Sequence, residues 1–207
     1  MSLEHPTLSD DQVAELISYI RDLATPSNAP LRAKRDRVLI LLMLDAGLRC
    51  SEAVQLPFRC AFWQGEVRPI LEVPVEIAKY GIGGSIPISL ELKDALVNFA
   101  SKTREMPPEE NDWPAISLFT YPRTIGRRQA ARIVEDVCQA AIGIHVHPHM
   151  LRHTFGNRMR KLCDGPTLQN LMRHKNLSST QVYMHPTIDD ACKAMAKLDA
   201  ERTGPTK

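Results

Sequence analysis

The sequence feature that most limits the possible folds is a strongly apolar helix predicted over residues 31–46. It contains the longest apolar run of the chain, from Val38 to Leu44, and Gly47 follows, which can end the helix in a left-handed conformation. A bilayer-spanning helix needs roughly 20 apolar residues, and the acidic amino terminus lacks the apolar core of a signal peptide. With 43% hydrophobic and 24% charged residues in a chain of 207, we expect a soluble, cytoplasmic protein with one domain.

The remaining periodicity predicts a mainly α fold with a small antiparallel β-sheet, an α+β class. Ser9 and Gln12 have the spacing of a capping box, so a helix is predicted to begin there. Apolar residues among Pro and Gly between positions 66 and 89 predict two or three short strands, with Lys79 in a glycine-rich hairpin. Further helices are predicted over 89–102, 124–142, 148–162 and 167–173.

The cysteines and histidines do not form a recognisable metal or disulfide pattern. Five widely spaced cysteines include no Cys-x-x-Cys pair, so reduced thiols are expected. Four clustered histidines raise the possibility of zinc, but Pro148 interrupts their alternation and no flanking carboxylate offers a fourth ligand. Surface or core histidines are the favoured interpretation, and no metal is predicted; the four are His145, His147, His149 and His153.

The net charge of +2 is unevenly distributed along the chain. Residues 121–175 contain ten Lys or Arg and three Asp or Glu, a local charge of +7, while the remainder carries −5. This region is either a face for a polyanion or an ordinary solvated surface with salt bridges. The candidate DNA contacts within it are Arg127, Arg128, Arg173 and Lys175.

Two short motifs place arginine where an anion could bind. Arg49 directly follows the apolar helix and its glycine, and Glu52 is close enough in sequence to orient the guanidinium. Arg152 shares the less apolar side of a predicted helix with His149 and His153, near an amino terminus that favours phosphate. A structural ion pair and a solvated helix face are the respective alternatives.

The order of these motifs resembles the tyrosine recombinases, or phage-type integrases, over residues 8–198. The matching segments are Gly-Leu-Arg-Cys-Ser-Glu at 47–52, Lys79 in its hairpin, His-Met-Leu-Arg-His-Thr-Phe at 149–155, His174, and Tyr183 nine residues later. The resemblance implies the catalytic-domain fold of DNA breaking-rejoining enzymes over residues 8–200. Residues 1–7 are then an amino-terminal extension and 201–207 a carboxy-terminal tail. Members of the family usually carry a helical DNA-clamping module before this domain, so the chain is expected to be either the catalytic domain of a longer protein, which is the favoured interpretation, or a naturally minimal enzyme.

The resemblance also implies which residues hold the scissile DNA phosphate. Arg49 and Arg152 would clamp its non-bridging oxygens and stabilise charge in the transition state. His174 would donate a hydrogen bond to the same phosphate. Glu52 and His153 would have supporting roles.

The remaining implied roles are proton transfer and attack. Tyr183 would be the nucleophile and form a 3′-phosphotyrosine, with His149 as its base or hydrogen-bond partner. Lys79 would be the general acid for the departing 5′ oxygen. Because nearby cations can activate the phenol and the phosphotyrosine conserves the energy of the diester, no metal, ATP or other cofactor is expected.

The expected function is site-specific recombination of double-stranded DNA, by a tetramer on paired sites or a monomer in isolation, with no membrane partner. A type IB topoisomerase, a non-catalytic DNA-binding accessory protein and, more remotely, a zinc hydrolase are the alternatives. Two of the departures from the family concern the predicted DNA contacts. Arg173 stands where glycine is usual, and residues 80–85 of the hairpin carry no basic side chain.

Overall fold

The computed structural model describes residues 6–26, 28–103 and 125–175, together with Phe119, Thr180 and Met195. Helices predominate in this part of the chain, as the sequence predicted, and two small antiparallel sheets accompany them. The helices are α1 (Asp10–Ala24), α2 (Leu31–Leu44), α3 (Cys50–Gln55), α4 (Phe58–Ala61), α5 (Leu90–Thr103), α6 (Arg127–Ile142), α7 (Pro148–Met159) and α8 (Gly165–Met172). The strands are β1 (Phe62–Trp63), β2 (Glu66–Val67), β3 (Ile70–Val73) and β4 (Gly84–Pro87).

The first helix begins at the predicted capping box. The Ser9 hydroxyl accepts the backbone N–H of Gln12 at 3.2 Å, and the Gln12 side chain accepts that of Ser9 at 2.9 Å. These reciprocal bonds satisfy two donors that the helix itself cannot pair. The segment before α1 is tied to α7, because the buried N–H of Leu8 donates to the Thr154 hydroxyl at 2.9 Å.

Helix α2 is the centre of the core. All seven residues of its apolar run are fully buried, and α1, α3, α5, α6 and α7 pack around it. A helix buried on every side needs apolar residues on every side, which explains the uninterrupted run. Charged side chains lie nearer its amino-terminal half, where the buried Arg37 guanidinium pairs with Glu91 at 2.6 Å and Asp94 at 2.7 Å.

Gly47 turns the chain immediately after α2. Its φ of +59° is the left-handed conformation that the sequence predicted. A Cβ at this position would lie 2.4 Å from Cδ1 of Phe155 on α7, so the close approach of α7 also requires glycine.

The two sheets are local hairpin pairs. Strand β1 pairs with β2, and β3 pairs with β4 in the register Leu71 with Ile86. The connection between β3 and β4 carries a short 3₁₀ turn, Lys79–Gly81. No helix among the described residues is long and apolar enough to cross a membrane.

Candidate active site

The carbonyl of Gly47 is the point at which distant parts of the sequence meet. Arg152, on α7 and 4% exposed, donates from Nη1 to this carbonyl and from Nη2 to the carbonyl of Met172 at the end of α8. Since Arg49 follows Gly47 by two residues, these bonds hold both arginines at one junction of α2, α3, α7 and α8. No pattern in the sequence indicated that a main-chain carbonyl would be the shared acceptor.

Glu52 orients Arg49 at the start of α3. The Arg49 Nη1 donates to Glu52 Oε1 at 2.7 Å, and the Arg49 backbone N–H donates to Oε2 at 2.9 Å. The Arg49 side chain remains 13% exposed, whereas Glu52 is fully buried. Burial raises the pKa of Glu52, but Arg173 and Arg49 outweigh it and lower this pKa to about 2. Glu52 is therefore ionised at neutral pH and fixes the guanidinium.

Two histidines lie in the field of the same arginines. Burial, followed by the charges of Arg152 and Arg49, lowers the pKa of His174 to about 4. Partial burial, again with Arg152 and Arg49 among the causes, lowers the pKa of His149. Both imidazoles are therefore neutral at neutral pH, and the shared causes place His149, His174, Arg49 and Arg152 in one electrostatic neighbourhood.

The orientation of these rings comes from local contacts. His174 Nδ1 lies 3.1 Å from the Thr180 hydroxyl, and Gln169 Nε2 donates to the His174 carbonyl at 3.2 Å. His149 lies in the first turn of α7, and its ring centroid is 6.1 Å from that of His153. The spacing of one helical turn thus brings these two rings to the same side of α7.

Lys79 joins this neighbourhood through its backbone. Its N–H donates to Glu52 Oε1 at 3.4 Å, while its side chain is exposed and its Nζ lies 4.9 Å from the Tyr80 ring centroid. Its charge also contributes to lowering the pKa of His149. The turn is therefore held at Glu52, while the ammonium group is accessible to solvent.

Arg173 was predicted to contact DNA, which requires an exposed side chain, but in the structure this side chain is buried. Its side chain is 1% exposed, and its Nη2 donates to Glu52 Oε2 at 2.9 Å and to the Gly47 carbonyl at 3.3 Å. The left-handed backbone at this residue (φ 50°, ψ 52°) turns the side chain inward. This contact has no local signal in the sequence, because Glu52 and Arg173 are 121 positions apart.

The other predicted DNA contacts are exposed. Arg127 and Arg128 open α6, and the Cys50 thiol lies 3.7 Å from the Arg127 carbonyl, which places this helix start beside α3. Lys175 is exposed two residues after Arg173. Contact of these three side chains with DNA stays a prediction.

Tyr183, the predicted nucleophile, lies outside the described residues. His145 is paired with Glu135 at 2.9 Å. Within residues 6–26, 28–103 and 125–175, no three His, Cys, Asp or Glu side chains are grouped as a metal site would require.

Comparison with known proteins identifies the family. The sequence model of the Phage integrase family matches residues 6–189, so the chain belongs to this family. Tyrosine recombinase XerC of Oceanobacillus iheyensis is 27% identical over 194 residues, covering 89% of this chain and 58% of XerC. Tyrosine recombinase XerD of Neisseria meningitidis serogroup B is 30% identical over 183 residues, covering 87% of this chain and 58% of XerD.

The chain thus spans less than two thirds of the length of these relatives. Among solved structures, the XerH site-specific recombinase bound to difH substrate in a pre-cleavage complex superposes with a TM-score of 0.70 at 19% identity. That match covers 93% of this chain and 54% of XerH. The likeness shows that the fold is that of a recombinase catalytic domain.

Proposed function

We propose that this member of the phage integrase family is a site-specific DNA recombinase that cleaves and rejoins double-stranded DNA through a covalent 3′-phosphotyrosine. The observation that carries the proposal is the meeting of Arg49 and Arg152 at Gly47, with two neutral histidines and the Lys79 turn beside them. The names of its relatives, XerC and XerD, support recombination as the reaction.

Arg49 and Arg152 are the proposed ligands of the scissile phosphate. Arg152 is held by two backbone carbonyls, which fix the guanidinium without neutralising its charge. Arg49 is held by Glu52 and is partly exposed, so an oxyanion can reach it. Guanidiniums fixed before the reaction stabilise developing negative charge at little reorganisation cost, which is how a site without metal can activate a phosphodiester.

The histidines and Lys79 are the proposed proton carriers and hydrogen-bond donors. A neutral His149 can accept the phenolic proton of Tyr183 as the phenol attacks phosphorus, and a neutral His174 can donate a hydrogen bond to a phosphate oxygen. The exposed Lys79 ammonium can protonate the departing 5′ oxygen. Attack by the 5′ hydroxyl of a second strand then reverses these transfers and releases the tyrosine. These reaction steps need no ATP, because the phosphotyrosine bond preserves the energy of the phosphodiester that was cleaved.

The decisive experiment works without a defined target site. The protein is incubated with a pool of nicked duplexes of randomised sequence, and SDS-resistant protein–DNA adducts are recovered and sequenced. Tyr183→Phe is expected to abolish the adduct while retaining DNA binding, whereas Tyr19→Phe, on α1, should retain both. Adduct formation by Tyr183→Phe would remove Tyr183 as the nucleophile.

The recovered sequences separate recombination from its nearest alternative. A shared sequence among the adducts supports site-specific recombination by an integrase of a phage or other mobile element. Adducts without a common sequence, together with relaxation of unrelated plasmid DNA, would indicate a type IB topoisomerase-like activity. Sedimentation of the protein on a recovered site tests the proposed tetramer on paired DNA sites.

A further inference from the structure

Arg173 occupies a backbone position that disfavours it. Helix α8 ends at Met172, and Arg173 follows with φ 50° and ψ 52°. Residues other than Gly, Asn and Asp rarely adopt this left-handed conformation, because the Cβ of an L-residue crowds the following carbonyl. Retaining a long charged side chain here calls for a physical explanation.

The contacts of Arg173 connect it to two of the proposed catalytic groups. Its Nη2 is 2.9 Å from Glu52 Oε2, and the other oxygen of the same carboxylate accepts Arg49 Nη1 at 2.7 Å. Its aliphatic stem packs under the hairpin that carries Lys79, since a Cβ on Gly84 of β4 would lie 3.2 Å from Arg173 Cγ. One side chain thus contacts both the carboxylate that orients Arg49 and the base of the Lys79 hairpin.

Folding stability does not account for this arrangement. A buried ion pair is often no more stabilising than apolar packing, the left-handed backbone is unfavourable, and Arg173 Nε has no hydrogen-bond partner among the described residues. Glu52 between two guanidiniums leaves the Arg49–Glu52–Arg173 group with a net charge of +1. Without Arg173, the carboxylate would cancel the charge of Arg49 one to one.

We propose that Arg173 is a positioning residue that fixes Arg49 through Glu52, keeps the net charge beside the phosphate positive, and supports the Lys79 hairpin through Gly84. The proposal rests on the proposed function, because Arg49 and Lys79 act on DNA only if the chain is a recombinase. Its first consequence, the immobilisation of Arg49, is a property of the protein without DNA.

Nuclear magnetic resonance of the arginine Nε–H groups tests that consequence. The Arg49 signal is assigned by its absence in Arg49→Lys, and its heteronuclear NOE is compared in wild type and Arg173→Gly. We expect a rigid signal in wild type and, in Arg173→Gly, a decrease toward the value of the exposed Arg128. Arg173→Asn, which also tolerates the left-handed conformation, is the second variant if Arg173→Gly does not fold, and the same decrease is expected.

The control for a general loss of stability is Gly143→Ala at the end of α6, where the added methyl would meet no atom of the described residues within 4 Å. Gly143→Ala should leave the Arg49 signal rigid, and Arg173→Lys, which retains the charge, should restore part of the order lost in Arg173→Gly. An Arg49 signal that stays rigid in both Arg173→Gly and Arg173→Asn would overturn the proposal.

The second measurement is the single-turnover rate of adduct formation. Arg173→Gly should lower this rate by about tenfold or more and leave the affinity for DNA unchanged. Losses of this size are typical when a residue that orients a metal-binding side chain is removed, and Arg173 orients Arg49 in a comparable way. An unchanged rate in Arg173→Gly would also overturn the proposal. If wild type forms no adduct on any DNA, the proposed function is wrong, and the mobility of Arg49 alone decides whether Arg173 positions it.

Discussion

Replacing Gly47 by alanine should test how closely α7 must approach the turn that carries Arg49. The left-handed backbone of Gly47 costs an L-residue roughly 1–2 kcal/mol. The new methyl would lie 2.4 Å from Phe155 Cδ1 and 2.7 Å from Cε1, and displacing a packed ring adds roughly 1–3 kcal/mol. The free energy of unfolding of Gly47→Ala should therefore fall by about 2–5 kcal/mol relative to wild type.

Gly143→Ala separates the two contributions. Gly143 has a similar φ of +70°, but within the part of the chain that the structure describes its added methyl would meet no atom within 4 Å. The free energy of unfolding of Gly143→Ala should therefore fall by the conformational cost alone, about 1–2 kcal/mol. Urea denaturation followed by circular dichroism measures both variants, and equal losses would show that the approach of Phe155 imposes no steric constraint.

Gly47→Ala should also lower adduct formation beyond what its stability explains. Because the Gly47 carbonyl accepts from Arg152 and Arg173, moving this turn displaces two guanidiniums. The comparison with Gly143→Ala is made at a temperature at which both variants are folded. Equal adduct rates in the two variants would refute the link between this carbonyl and the site.

Three further perturbations follow from the buried polar groups. Glu52→Gln should reduce the free energy of unfolding by about 3–5 kcal/mol, because it leaves the buried Arg173 without its anion and also removes the carboxylate that pairs with the partly exposed Arg49. Urea denaturation of the double variant Arg173→Gly/Glu52→Gln should then show that the two losses are not additive. The pKa of His174 is about 4 in the folded protein against an ordinary 6.5, so as the pH falls the unfolded chain protonates this imidazole before the folded protein does. The contribution of the neutral His174 to the free energy of unfolding should therefore be fully present above about pH 6.5 and decline as the pH falls toward 4. His174→Asn should lack that part of the pH dependence in urea titrations. Thr154→Val should cost about 1–3 kcal/mol by leaving the buried Leu8 N–H without its acceptor, while Thr154→Ser should be close to wild type in thermal unfolding.

The elements that the sequence predicted best are those with a periodic pattern and a local boundary signal. Helix α1 begins at its capping box, and α2 begins at Leu31 as predicted. Helix α8 begins two residues earlier than predicted, because Asp164 caps it by accepting the Thr167 N–H at 2.9 Å. A local cap that was not recognised therefore accounts for the shift.

Short elements without a period escaped prediction. The four-residue helix Phe58–Ala61 and the two-residue strand Phe62–Trp63 are too short to show either repeat. Their positions depend on tertiary contacts: the rings of Phe58 and Phe62 stack with centroids 4.2 Å apart. Such a contact depends on the backbone path between the two residues, which single-sequence patterns do not define.

The charge count of residues 121–175 illustrates the same limit at the site. A local charge of +7 treats every arginine alike, yet the structure separates them by environment. Arg173 is buried against Glu52, a residue that lies outside the basic segment 121–175. Arg127, Arg128 and Lys175 are exposed. Because a buried arginine that is paired with a carboxylate presents no donor to a phosphate at the surface, the field that a phosphate would meet depends on which cations share a carboxylate. The count of basic residues in a segment therefore overstates its DNA-facing charge wherever a partner arrives from elsewhere in the chain.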